Sequence, residues 1–194
     1  MKKFFTKFDE ISQKHPHKIA IEAPDSSLTY LQLAKDINLT ATGLRTAGVV
    51  SGDILGFYGD RDTSIIKALL AVHKIGGIFL HLSADHPNEV ISNLIEKSQL
   101  KWLIHSSYIG TIKTPSHLQK IDIEDLSSVS TVDEDQNVHD WVSQEICMYR
   151  CSSGTESVPK IIPITCEALE SQIIFIANFF KHLNFLSPSC HPTF

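Results

Sequence analysis

Between Asp53 and His105 the chain alternates between short apolar runs and stretches with helical spacing. Asp53 to Tyr58 is a short apolar run that reads as a buried strand. Thr63 to Ile75 places Ile65, Ile66, Leu69, Leu70 and Val72 at helical intervals, and Gly76-Gly77 stops that helix. Ile78 to Leu82 reads as the next strand. Pro87 suits a first helical position, and Val90, Ile91, Leu94 and Ile95 form the following apolar face. Lys101 to His105 is a further strand. Strands separated by helices cannot pair as hairpins. They need crossover connections, hence parallel pairing in a right-handed βαβαβ unit. The expected fold class is α/β, built from parallel-sheet layers.

The flanks carry weaker signals. Phe4, Phe5, Phe8 and Ile11 suggest a first helix ending near His15-Pro16, followed by a strand over Lys18 to Ala23. Pro24-Asp25-Ser26-Ser27 is a turn by composition. Thr29 can cap the next helix, with Gln32 completing a capping box. Leu31, Leu33, Ala34, Ile37, Ala41 and Leu44 supply its apolar face, and Gly48 suits its C-terminal end. Residues 122–145 are acidic and rich in Ser and Thr, which reads as a solvated loop without the ordered ligand spacing of a calcium site. Glu167 to Leu183 reads as a helix whose Leu169, Ile173, Ile174, Ile176, Ala177 and Phe180 call for burial on several sides. Asn184 to Phe194 has no periodic pattern. The expected organisation is one body over residues 1–183 and an irregular tail over 184–194, the tail reading as a frayed end, a truncation scar or a frame-shifted terminus.

Composition removes several classes of function. The net charge is −5 and no Lys/Arg run occurs, so nothing supports a nucleic-acid partner. Lys7, Asp9 and Glu10 interrupt any signal-peptide core at the start. The apolar patch from Ile173 to Phe180 is far short of the ~20 residues that cross a bilayer, so no membrane span is expected and the reading is cytoplasmic. The cysteines are Cys147, Cys151, Cys166 and Cys190. A strand would set Cys147 and Cys151 on one face. Without C-x-x-C pairs they read as buried free thiols. The histidines are dispersed, with no H-E-x-x-H and no zinc spacing, so no metal site is expected. His81 and His86 read as loop or surface residues.

Residues 146–165 carry the only local pattern that suggests a chemistry. An apolar run from Ile146 to Tyr149 leads into Ser152, Ser153, Gly154, Thr155, Glu156 and Ser157, then Pro159, Lys160 and a second β-rich run from Ile161 to Thr165. A strand, a hydroxyl- and glycine-bearing loop, a lysine and another strand suit a phosphate: backbone N–H groups and hydroxyls donate, and the ammonium supplies charge. No Walker A spacing is present, and a hairpin with this composition can also bind nothing.

The segment Cys151-Ser152-Ser153-Gly154-Thr155-Glu156-Ser157-Val158-Pro159-Lys160 resembles the phosphate loop of the adenylate-forming (AMP-binding) superfamily, which includes acyl-CoA synthetases and nonribosomal peptide synthetase adenylation domains. Leu28-Thr29-Tyr30-Leu31-Gln32-Leu33 is similar to the family's early L-T-Y-x-E-L segment. His73-Lys74-Ile75-Gly76-Gly77-Ile78-Phe79-Leu80-His81-Leu82, followed by Asp85-His86-Pro87, is similar to its K-A-G-[GA]-x-[YF]-x-P-L-[DN] segment. The three occur in the family's order. The resemblance implies an N-terminal part of an ATP-dependent ligase that activates a carboxylic acid, with magnesium accompanying ATP. In that role Ser152, Ser153 and Thr155 would bond phosphate oxygens, Gly154 would admit the backbone, and Lys160 would neutralise charge. No catalytic residue is implied within the chain.

The departures from the family pattern matter equally. Glu156 stands where the family has threonine, Ser157 where it has glycine, and Ile161 where a glycine follows the lysine. A carboxylate about 4 Å from a phosphate charge costs about 4 kcal/mol at an effective dielectric near 20, much less if it turns to water. The family's adenine-stacking, ribose-binding, hinge and C-terminal lysine segments would all lie beyond Phe194. The expectation is therefore a fragment that is inactive alone and is completed by a C-terminal adenylation segment or another protein partner. A non-catalytic binding or assembly module, a decayed relic and an unrelated α/β module are the alternatives. Fatty, aryl and amino acids all remain open as substrates.

Overall fold

The computed structural model describes residues 2–23, 26–59, 62–106, 112–127, 138–152 and 159–182. In chain order the elements are α1 (Lys2–Lys14), β1 (Ile19–Glu22), β2 (Ser27–Thr29), α2 (Tyr30–Thr46), β3 (Ile54–Gly59), α3 (Thr63–Lys74), β4 (Ile78–Ser83), α4 (Asn88–Ser98), β5 (Trp102–His105), β6 (Gln119–Asp122), α5 (Ile123–Ser127), β7 (Ile146–Ser152), β8 (Lys160–Thr165) and α6 (Cys166–His182). The tail expected over 184–194 lies outside the described residues.

A six-stranded sheet in the order β6-β5-β3-β4-β7-β8 forms the frame. Its first five strands are parallel, and β8 returns antiparallel to β7. The parallel βαβαβ expectation over 53–105 holds. The chain steps from β3 to β4 on one side and then to β5 on the other, so the strand order reverses at β3. Helix α3 packs on one face with α2 and α5, around Leu55, Phe57, Phe79 and Ile104. Helix α4 packs on the other, around Tyr58, Leu80, Leu82 and Leu103. These strand residues alternate between faces because side chains on a strand do.

The L-T-Y segment has a structural job. Leu28 and Thr29 pair with β1 in a two-stranded hairpin, a strand that the composition did not suggest. The Thr29 hydroxyl then accepts from Gln32 N, while the Gln32 side chain accepts from Thr29 N at 2.9 Å. This is the capping box read from the sequence. Ala23 and Ser26 exchange backbone hydrogen bonds across the turn, whose Pro24 and Asp25 lie outside the described residues. Leu31 departs from its expected role: it is 52% exposed, because the buried stripe of α2 begins at Leu33. Pro87 is also displaced by one position, standing before α4 with ψ 144° rather than inside it.

Residues 122–145 are less open than their acidity implies. Asp122 ends β6, and the short α5 buries Ile123 and Leu126 against α2. Gly43 of α2 permits this approach: a Cβ there would lie 2.9 Å from both Leu126 Cδ2 and the Leu126 carbonyl oxygen. Residues 128–137 are outside the described set. From Val138 onward the chain straps across the end of α3. His139 N donates to the Lys74 carbonyl at 2.9 Å, and Trp141 Nε1 donates to the His73 carbonyl at 2.9 Å. Carbonyls at a helix C-terminus lack intrahelical donors, and the strap supplies them.

Candidate functional site

Strands β7 and β8 place the predicted loop. β7 runs parallel to β4, with Met148 and Tyr149 opposite Phe79 and Leu80. The connection leaving β7 therefore lies at the carboxyl edge of the parallel sheet. In open α/β sheets that edge is where ligands bind. β8 pairs back from Ser152↔Lys160 to Ile146↔Thr165, so the two ends of the loop face each other. Lys160 N lies 3.4 Å from Ser152 Oγ and donates to it, closing the hairpin mouth. Ser152 is half-buried and Lys160 exposed. A hydroxyl and an ammonium are thus held in cross-strand register, an arrangement that suits an anion. Ser153, Gly154, Thr155 and Glu156 lie between them, outside the described residues.

The route into this hairpin is set by a bulge. Ile146 pairs with Thr165 but Met148 pairs with Ile164, leaving Cys147 as the extra residue. Such an insertion breaks strict alternation. Cys147 and Met148 consequently both reach the cluster formed with α1, α2 and α6, whereas Tyr149 and Cys151 pack toward the α4 side. Cys147 and Cys151 therefore do not share a face, contrary to the simple strand reading. Cys147 and Cys166 are buried and Cys151 is partly so, all three as free thiols. Cys190 lies outside the described residues. Burial pushes the Cys147 thiol up to about 12, with its neighbour Cys166 acting in the same direction, so Cys147 is no nucleophile.

His73 anchors the bulge. Its Nε2 lies 3.0 Å from the Cys147 carbonyl. A carbonyl only accepts, so Nε2 carries the proton and Nδ1 has the lone pair. Nδ1 has no hydrogen-bond partner among the described residues. The ring is 1% exposed and meets Trp141 edge-on at 6.0 Å. Burial lowers the His73 pKa to about 4, the bond to Cys147 acting in the opposite direction, so the ring is neutral at physiological pH. His81 is also not the loop residue expected: it stands within β4, its ring 6.4 Å from that of Phe57. The sequence placed His73 only at the head of the Lys-Ile-Gly-Gly segment; its role arises from the adjacency of α3 and β7 in space.

The Lys-Ile-Gly-Gly segment also resolves into packing. Lys74 is 5% exposed, and its Nζ donates to Asn38 Oδ1 at 2.6 Å. Burial lowers its pKa, while the charge of Asp9 works the other way. Gly76 adopts φ +81°, and a Cβ there would lie 2.6 Å from Ser51 Oγ and 2.7 Å from the His139 ring. A second polar cluster ties the amino ends of the strands. Asp53 accepts from Lys101 Nζ at 2.7 Å, Trp102 Nε1 at 3.1 Å and Val50 N at 3.1 Å. Burial opposes its charge, but these bonds outweigh it and hold the carboxyl below the ordinary carboxylate range.

A separate cleft of about 380 Å³ is lined by Ile21, Glu22, Ala23, Asp62, Ile65, Ile66 and His81. It shares no lining residue with the β7–β8 hairpin. Asp62 there is already engaged, capping α3 through a 2.8 Å bond from Ser64 N. Among the described residues no group of three or more His, Cys, Asp and Glu gathers as a metal site, and no helix is long and apolar enough to cross a membrane.

Comparison with known proteins gives a consistent pattern. A family model described as "AMP-binding enzyme" matches residues 8–191. Tyrocidine synthase 2 of Brevibacillus parabrevis is 28% identical over 153 residues, covering 79% of this chain and 4% of that protein. Bacitracin synthase 3 of Bacillus licheniformis is 29% identical over 182 residues, covering 91% of this chain and 3% of that one. Among solved structures, the N-terminal subdomain of Klebsiella oxytoca NpsA superposes with a TM-score of 0.72 at 22% identity, over 82% of this chain and 41% of that subdomain. The chain thus spans a small part of the curated relatives and under half of the solved subdomain.

Proposed function

This chain belongs to the AMP-binding enzyme family, and we propose that it is the N-terminal part of an ATP-dependent ligase that activates a carboxylic acid, of the peptide-synthetase adenylation type. The observation that carries the reading is the cross-strand pair Ser152↔Lys160 at the carboxyl edge of the sheet, in the segment where the family's phosphate loop is expected. In the complete reaction a substrate carboxylate oxygen bonds to the α-phosphorus of ATP, and the bond from that phosphorus to the bridging oxygen breaks. Acyl-adenylate and pyrophosphate result, and the acyl group then passes to a thiol. The carboxylate is already ionised at neutral pH and needs no general base.

In this reading Ser152, Ser153 and Thr155 donate to the β- and γ-phosphate oxygens, and Gly154 lets the backbone approach. Lys160 offsets the charge that builds on pyrophosphate as it leaves, a positioning and electrostatic role. Magnesium enters with the ATP phosphates. The chain matches 41% of the solved NpsA subdomain, and the complete reaction is proposed for a whole adenylation domain. The protein works in the cytoplasm in this account.

The test is nucleotide titration of the purified chain with ATP and AMP, followed by exchange of pyrophosphate into ATP in the presence of a C-terminal adenylation segment. Binding at millimolar concentration, and exchange only in the mixture, are the expected results. No binding in either sample removes the ligase reading. A second reading, a non-catalytic assembly module, is favoured specifically by Glu156, whose carboxylate has the wrong sign for a phosphate cradle.

A further inference from the structure

We propose that Ser51, His139 and Glu145 form a nucleophilic serine centre that takes the acyl group of small activated esters. It lies at the amino ends of β3 and β4, the opposite edge of the sheet from the β7–β8 loop, and it does not depend on the ligase reading.

The three groups stand in series. Ser51 Oγ lies 3.3 Å from His139 Nδ1, and His139 Nε2 lies 3.7 Å from Glu145 Oε2. A carboxylate beside Nε2 favours the tautomer that carries its proton there, which leaves the Nδ1 lone pair toward the serine hydroxyl. A nucleophile, a base and a group that orients the base activate serine on unrelated folds, where they are recognised by their roles and not by chain order. Ser51 Oγ also lies 3.4 Å from the Gly76 carbonyl, a competing acceptor slightly farther away.

Each member is held by its own support. Ser51 stands on a tight turn closed by the 3.1 Å bond from Asp53 N to Val50 O, with Gly52 at φ +84° as a type II turn requires. The Asp53 carboxylate, itself held by Lys101 and Trp102, accepts from Val50 N and fixes the same turn. His139 is tied through its backbone to the Lys74 carbonyl, and Trp141 meets its ring edge-on at 4.8 Å. Glu145 Oε2 accepts from Val142 N at 2.6 Å, which sets the carboxylate. Gly76 permits the meeting, because a Cβ there would crowd both Ser51 Oγ and the His139 ring.

Ser51 is exposed, so a reagent reaches it directly. Val50 beside it and Val142, whose N–H holds Glu145, add exposed apolar surface, which suits a small aryl ester with a good leaving group. In the reaction the Ser51 oxygen bonds to the ester carbonyl carbon while its proton passes to His139 Nδ1. The bond to the aryl oxygen breaks, and that oxygen takes the proton as the alcohol departs. Water then attacks the acyl-serine and gives a proton to His139. The carboxylic acid leaves, and the proton returns to Ser51.

The test treats the full chain with a fluorophosphonate, which loses fluoride as it phosphonylates an activated serine, and locates the adduct by peptide mass spectrometry. A single adduct on Ser51 is expected, absent from Ser51→Ala and from the chain unfolded in urea. An aryl acetate should release a burst of one alcohol per chain. His139→Gln should slow both reactions at least about tenfold, the loss of a general base. Glu145→Gln still offers Val142 N an acceptor but lacks the charge, so it too should slow them without moving the melting temperature. It decides the point if His139→Gln melts lower than the parent chain. Ser143→Ala, an exposed serine of the same strap, should change nothing. No adduct, an adduct spread over several serines, or an adduct on Ser51 that forms at the parent rate in Glu145→Gln overturns the proposal. Each of these results leaves the trio as a tie between strap and sheet.

Discussion

His73 and Cys147 lie far apart in sequence, yet the ring Nε2 of one sits 3.0 Å from the carbonyl of the other. The bond ties the end of α3 to the bulge at the start of β7, the strand that leads to the candidate phosphate loop. The ring is neutral because burial disfavours its charged form, and that burial, not the bond, makes the fold sensitive to acid.

The sign follows from proton uptake. The unfolded chain protonates His73 near its ordinary pKa of 6.5, while the folded chain resists protonation until about pH 4. Between those values the unfolded state binds more protons, so stability falls as pH falls through that window. The full loss is about 3 kcal/mol once pH is below both values. Urea melts at about pH 7, 5.5 and 4.5 should show this decline, and His73→Gln should flatten the part due to this ring. An identical pH dependence in the variant would show that other groups govern acid unfolding.

Asp53 acts in the same direction at lower pH. Its pKa is depressed, so its contribution is complete above the ordinary carboxylate value of 3.8 and disappears as pH falls through its lower folded value. Asp53→Ala leaves Trp102 Nε1 and Val50 N without their acceptor and should cost about 2–3 kcal/mol at neutral pH. A chemical-denaturation midpoint within error of the unmodified protein would show that water replaces the carboxylate.

Gly76 and Gly48 offer a matched comparison. Both have positive φ, +81° and +98°, but a Cβ at Gly76 meets Ser51 and His139 closely while at Gly48 it meets open space. Gly48→Ala should cost about 1 kcal/mol from backbone conformation alone, and Gly76→Ala about 1–2 kcal/mol more. Equal thermal shifts for the two would mean that the strap over α3 yields freely.

Glu156→Thr should tighten phosphate or ATP binding several-fold in a titration if its carboxylate faces the nucleotide, and Lys160→Ala should weaken it. Affinity that responds to neither substitution would separate this loop from nucleotide binding.

The sequence announced the elements whose periodicity repeats over enough residues. β3, α3, β4, α4 and β5 follow from alternation of apolar runs and helical stripes, and the α2 cap from Thr29 and Gln32. Short elements escaped: β2, β6 and α5 offer too few residues for a period to show. So did pairings between distant segments. The order reversal at β3, the extra residue at Cys147 and the placement of His73 beneath it depend on which segments meet in three dimensions, and local propensity does not encode that. Of the candidate site, the hairpin frame and the lysine were legible because two β-rich runs flank a polar loop.

The hairpin has one further consequence. Because Ser152 and Lys160 are fastened to each other by the ladder between β7 and β8, their spacing does not rely on the seven residues between them. The pairings from Ile146↔Thr165 to Ser152↔Lys160 set that spacing from the strands themselves. A protein of this shape can lose or change its chemistry while every strand stays in place.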